Sequence, residues 1–295
     1  MSPALEAVLQ GNYMYNEHLD GYTWELLEEC TRIRSSIPCN SVNSLITKET
    51  WQTKWKRARE DTSLSKLGLH FGHYKAGADS DLIAHFHAMK TSLALKHGIA
   101  LKRWSRGLSV MLEKMFGCKL VGKLQAILLM EADLNFANKQ VYGVEMLNNV
   151  RKYGFMPEEI YSEKNRIAED GSLAKVLFYD MVGQSRIAAG LASVDAGNCY
   201  NSIAHAIALM TFQAFGVNKE SVQAMLVAIE DMFFFLRTVF GDSKNSVGTK
   251  IRIKTQGLCQ GNGTAPSGWA ITSITIPGAH KRKGHGAKIV CSISK

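Results

Sequence analysis

Long apolar runs are missing from this 295-residue sequence: none approaches the ~20 residues that a membrane span requires. A secretory leader is missing as well, because residues 1–21, MSPALEAVLQGNYMYNEHLDG, lack a basic start followed by an apolar stretch. None of the six cysteines (Cys30, Cys39, Cys118, Cys199, Cys259 and Cys291) stands at Cys-x-x-Cys spacing from another. That excludes the common zinc patterns, and a chain of this length does not need disulfide staples. The thiols therefore read as reduced, those of an intracellular protein with no membrane partner. There is no internal repeat and no low-complexity tract. No Gly-Lys-Ser/Thr follows the Gly-rich stretch near the end, so a phosphate-binding P-loop is excluded too. The dipeptide Asp-Asp occurs nowhere.

What is present suits a folded domain. Apolar residues make up 46% and charged residues 21% of the chain, enough for one large core or two modest ones. Lysine and arginine outnumber aspartate and glutamate by 35 to 26, and the excess is clustered. Lys90, Lys96, Lys102, Arg103, Arg106, Lys114, Lys119 and Lys123 are accompanied by one acid, Glu113. From Pro277 onward there are Lys281, Arg282, Lys283, Lys288 and Lys295 and no acid. Clustered positive charge fits a polyanion such as nucleic acid, and equally a solvated face.

Periodicity places the elements. Trp24, Leu27 and Cys30 have helical spacing, as do Trp51 and Trp55 in WQTKWKRARED, where packing outweighs base stacking as their role. Leu82, Phe86, Met89 and Leu93 predict a helix over 81–97, with His85 and His87 on different faces. Trp104, Leu108, Met111, Leu112 and Met115 predict another over 103–116, closed at Gly117. Residues 126–130 read as a strand leading into a helix. In the last third, 188–194 reads as a buried strand ending at Asp195, and a helix follows from Ile203 to Gly216. A second helix is expected over 220–240 and a strand over 250–255, before the Gly-rich loop and a compact apolar segment at 265–276. The alternation indicates an α/β or α+β core.

Two segments carry candidate chemistry. In SVDAGNCYNSIAH (193–205), Asp195 stands where a buried strand would give way to a helix, a position that suits a magnesium ligand and also a plain helix N-cap. Five residues on is Tyr200. In TQGLCQGNGTAPSGW (255–269), glycines and a proline make a turn that exposes backbone, which permits close approach of a flat or phosphorylated ligand. The histidine pairs His70/His73 and His280/His285 lack the further ligands that a zinc site needs.

Taken in order, the segments resemble reverse transcriptases. Asp195 and Tyr200 match that family's first palm motif; Gln260, Gly261 and Pro266 match its Gln-Gly-x-x-x-Ser-Pro motif, with Ala265 for the serine. GLHFGHYKAG (68–77) and KLQAILLMEADLNFANK (123–139) look like fingers segments of the same family, and the wording is closest to open reading frames of eukaryotic mobile elements. The resemblance spans about residues 62–293 and implies a right-hand polymerase, helix-rich with a small antiparallel sheet: a helical leader (1–61), fingers (62–185) and a partial palm (186–295). It implies Mg2+ (or Mn2+) at Asp195 and the Ala196 carbonyl, with two ions in a complete enzyme. It further implies deoxyribose selection by Tyr200, phosphate contact by Lys123, and a base-pair pocket shaped by Gln260 and Gly261. The partners would be an RNA or DNA template-primer and a dNTP.

Departures accompany the likeness. Gln125 replaces a usual arginine, Leu69 a usual basic residue and Asn201 a common aspartate. The strand bearing an Asp-Asp pair is not in the sequence, which reads as truncated before it. A noncatalytic nucleic-acid-binding remnant is the alternative. A viral RNA-directed RNA polymerase fits less well, since that group favours Ser-Gly over Gln-Gly and a small residue at the sugar gate.

Overall fold

Polar caps start the helices of the first hundred residues. The computed structural model describes residues 3–11, 20–61, 65–67, 69–114, 116–118, 120, 123–158, 160, 168–192, 196–238, 240–248 and 257–285. After α1 (Pro3–Leu9), Asp20 accepts from the amides of Tyr22 and Thr23 at 3.0 Å each and opens α2 (Gly21–Ser36). Thr47 caps α3 (Lys48–Lys56) and Ser80 caps α5 (Asp81–Lys96) in the same way. Between them, α4 (Phe71–Gly77) is capped by His70, whose Nδ1 accepts from the Gly72 amide at 2.9 Å. The His73 Nδ1 accepts in turn from the His70 amide at 3.1 Å, so this histidine pair serves a helix end.

Trp51 and Trp55, 0% and 2% exposed, are packing residues. Trp55 stacks on Tyr74 with ring centres 4.4 Å apart and lies 5.7 Å from the tilted ring of Phe136. Phe136 belongs to α6 (Ala132–Gln140), which runs through a π-helical turn (Val141–Glu145) into α7 (Met146–Lys152). The carboxyl-terminal body consists of α10 (His205–Ala214), α11 (Lys219–Glu230) and α12 (Ala265–Arg282), with α10 and α12 packed on α2. One apolar cluster, from Leu9 to Ile274, ties these helices together.

A small sheet lies beside the helices, and four expectations are corrected. Residues 106–113 are not helical: only Lys102–Ser105 forms a helical turn, and Arg106–Glu113 is the central strand β1. Its pairing overrides the helical spacing. One edge bonds antiparallel to β2 (Leu124–Leu129), with Leu108 opposite Leu129; the other bonds parallel to β3 (Phe233–Thr238), with Arg106 opposite Phe233. Gly107 permits the fit, because a Cβ there would lie 2.5 Å from Met232 Sδ and 2.6 Å from Leu128 Cδ1. The expected helix over 220–240 stops at Glu230, and the aromatic run that follows becomes β3. Short strands β4 (Gly241–Asp242) and β5 (Val247–Gly248) pair antiparallel with β3, so the sheet is mixed rather than antiparallel.

The fourth correction concerns 188–194. Residues 188–192 are exposed and irregular, since both edges of β1 are already filled, while 193–195 lie outside the described residues, as does the strand expected at 250–255. Before them, α8 (Ala168–Ser185), which helical spacing did not announce, presents Leu173, Val176, Leu177, Tyr179 and Met181 on its exposed surface. No described helix is long and apolar enough to cross a membrane. The architecture is helix-rich with a small mixed sheet, of the α/β class in the broad sense.

Candidate functional site

The Gly-rich segment folds into a bend, residues 257–264, wedged between three other parts of the chain. On one side it extends the sheet: the Leu128 amide of β2 donates to the Gln260 carbonyl at 2.7 Å. Gly261 follows at φ +105°, where a Cβ would lie 2.2 Å from the Leu128 oxygen, so only glycine fits. Beneath the bend, α6 contributes two asparagines one turn apart. Asn135 Oδ1 accepts from the Gly263 amide at 2.5 Å and its Nδ2 donates to the Gly261 carbonyl at 3.3 Å. Asn138, fully buried, donates to Asn262 Oδ1 at 2.8 Å, and Asn262 donates back to the Leu258 carbonyl at 2.9 Å.

The third neighbour is the segment that follows Asp195. There Cys199–Ser202 forms a single helical turn, α9, entered through Asn198 in the left-handed conformation at φ 52°. The Leu258 amide donates to the Tyr200 carbonyl at 2.8 Å. Gly257, at φ +83°, lies so close that a Cβ would stand 2.4 Å from Asn201 Cα. His205 closes the junction. Its Nε2 is 2.8 Å from the Gly257 carbonyl, which can only accept, so Nε2 carries the proton; Nδ1 faces Glu230 at 3.5 Å.

The structure thus brings together Tyr200, Gln260 and Gly261 and leaves Lys123 apart. Tyr200 is half-buried against the core, while the partly exposed side chain of Gln260 makes no hydrogen bond among the described residues. Lys123 precedes β2 and is five residues from Leu128, roughly 16 Å along an extended strand. Ala196 begins the described part of the α9 segment; Asp195 lies outside the described residues. Among the described residues, no three His, Cys, Asp or Glu side chains converge to hold a metal ion.

Part of the clustered positive charge is engaged internally. Arg103 contacts Asp133, which is 1% exposed, and Lys90 approaches the same carboxylate at 3.6 Å. Trp104 Nε1 donates to it at 3.0 Å, and Arg103 also donates to the Tyr74 hydroxyl at 2.6 Å. Near the carboxyl end, Arg282 pairs with Glu29 at 2.7 Å and Lys283 with Glu25. Neighbouring Glu131, wholly buried, accepts from Ser65 Oγ at 2.5 Å. Burial pushes its carboxyl above the ordinary range, against the Ser65 hydrogen bond, and the Asp133 charge adds to the rise.

Sequence reasoning missed Asn135, Asn138 and His205, the groups that hold the bend. Only their side-chain geometry reveals them, although the first two stand within a segment singled out for its likeness. No protein-family model matches the chain, and no curated protein matches it.

Proposed function

We propose that the chain is a reverse-transcriptase-like domain that holds a template-primer and an incoming dNTP for nucleotidyl transfer. The observation that carries this reading is the hydrogen bond from the Leu258 amide to the Tyr200 carbonyl, 2.8 Å long. It joins the two segments whose motifs resemble the palm, although they are far apart in sequence. Had they folded into separate cores, the resemblance would be an accident of wording.

In this reading the ring of Tyr200 bears on the sugar of the nucleotide and disfavours a 2′-hydroxyl. The unengaged amide of Gln260 and the bare backbone of Gly261 border the base pair. A metal at Asp195 would supply positive charge to the triphosphate; the residues of this chain bind and orient. Because one motif carboxylate is present and an Asp-Asp dipeptide is not, the purified chain should bind without extending a primer. The test is filter binding of a primer-template and of dNTP and rNTP in Mg2+, beside a primer-extension assay. The reading predicts retention of dNTP over rNTP, weakened at least about tenfold by Asp195→Ala and made less selective by Tyr200→Val. Equal retention of both nucleotides, unaffected by either substitution, would sink it. Extension abolished by Asp195→Ala would show that this sequence suffices for the chemistry.

A further inference from the structure

Two lysines outside both basic clusters stand on helices that meet near the bend. Lys54 stands on α3 next to Trp55, and Lys139 in the last turn of α6, three residues beyond Phe136. The Trp55–Phe136 ring contact at 5.7 Å brings the two helices together there. Lys139 lies directly on the bend. A Cβ at Gly263 would lie 2.9 Å from Lys139 Cβ, and one at Gly143 would lie 3.5 Å from its Cγ and 3.6 Å from the Gly263 carbonyl. Glycine at both positions keeps side chains off this spot.

Among the described residues neither of the two lysines forms an ion pair. Lys54 is half-buried, and burial together with the charge of Lys139 draws its ammonium below the ordinary range. The charge of Lys139 opposes that of the Lys54 ammonium, and an anion held by both would relieve the repulsion.

We propose that Lys54 and Lys139 bind a phosphodiester of the nucleic-acid strand whose base pair rests on Gln260 and Gly261. This deepens the functional reading above and rests on it. The contact is electrostatic and independent of sequence, so it anchors the strand and does not select bases. Arginine should replace either lysine, and alanine should not.

The experiment is fluorescence anisotropy with a labelled single-stranded oligonucleotide over a salt series, with labelled dATP as a second probe. The Lys54→Ala/Lys139→Ala double variant should bind the oligonucleotide about tenfold more weakly at 0.1 M salt. Its slope of log affinity against log salt should be shallower by roughly 0.7, the change for one lost phosphate contact on a single strand. The double arginine variant should restore both, which separates a charge effect from misfolding. Thermal unfolding of each variant provides the parallel check. If the wild-type chain binds the oligonucleotide and the double alanine variant does so with unchanged slope, this inference fails while the polymerase reading survives. If dATP affinity falls and oligonucleotide affinity does not, the assignment to the strand backbone is overturned. A wild-type chain that binds no oligonucleotide at all overturns both.

Discussion

The two walls of the candidate site are built differently. The bend at 257–264 is overdetermined: strand β2, two asparagines of α6, His205 and the α9 carbonyl each fix part of it. The facing segment, 196–202, is exposed or half-exposed, has one helical turn with no buried residue, and passes through a left-handed asparagine. The Tyr200 carbonyl joins it to the bend, and α9 also packs on α12. The contrast teaches which wall is the template for the other. In the proposed reading, a rigid wall with bare backbone suits an unvarying feature of the ligand, such as a base pair of fixed width. A lightly held wall can adjust to what enters, and draws on the low-stability end of the fold.

The comparison can be broken most sharply at two glycines. Gly261→Ala places a Cβ against the Leu128 carbonyl at a left-handed φ and should cost about 3 kcal/mol in urea unfolding. Gly197→Ala, with nothing within 4 Å of the new methyl, should change stability by less than about 0.5 kcal/mol. Equal costs would erase the distinction between the walls. Next in size, Asn138→Ala removes a buried hydrogen bond to Asn262 and should destabilise by about 1–2 kcal/mol. Amides of 258–264 should then exchange faster in hydrogen-exchange measurements, while those of 196–202 change little.

The smallest effect concerns the buried Glu131, just ahead of α6. Its folded pKa is raised above the ordinary 4.5, so the folded state keeps a proton that the unfolded chain has already lost. Stability contributed by this group is therefore present at low pH and declines as pH rises from about 4.5 through the folded value. Glu131→Gln, which keeps an acceptor for Ser65, should flatten that part of the stability profile. An unchanged urea midpoint difference between pH 4.5 and pH 7 would show that Glu131 does not cause it.

Much of the helical framework could be read in advance, because caps and apolar stripes act locally. Residues 81–96 are helical from Ser80 onward, and Trp51 and Trp55 are buried as their spacing suggested. The strand before α6 was legible as well. The sheet was not. Leu108, Met111 and Leu112 have helical spacing, and only partners distant in sequence turn their segment into the central strand. The Phe233 run was absorbed into its neighbouring helix for the same reason. At the site, Tyr200, Gln260 and Gly261 were marked by wording, whereas the supports Asn135, Asn138 and His205 show themselves only through what their side chains reach. The charge clusters misled in part, since Arg103 and Lys90 serve Asp133 and Arg282 serves Glu29.

Strand β1 receives one neighbour soon after its own synthesis and the other only when Phe233 has been made. At about 5–20 residues per second, translation leaves that edge without its partner for roughly 6–25 s. An open edge flanked by apolar side chains invites pairing with foreign strands, so the nascent chain has a period of exposure to aggregation that the finished fold conceals.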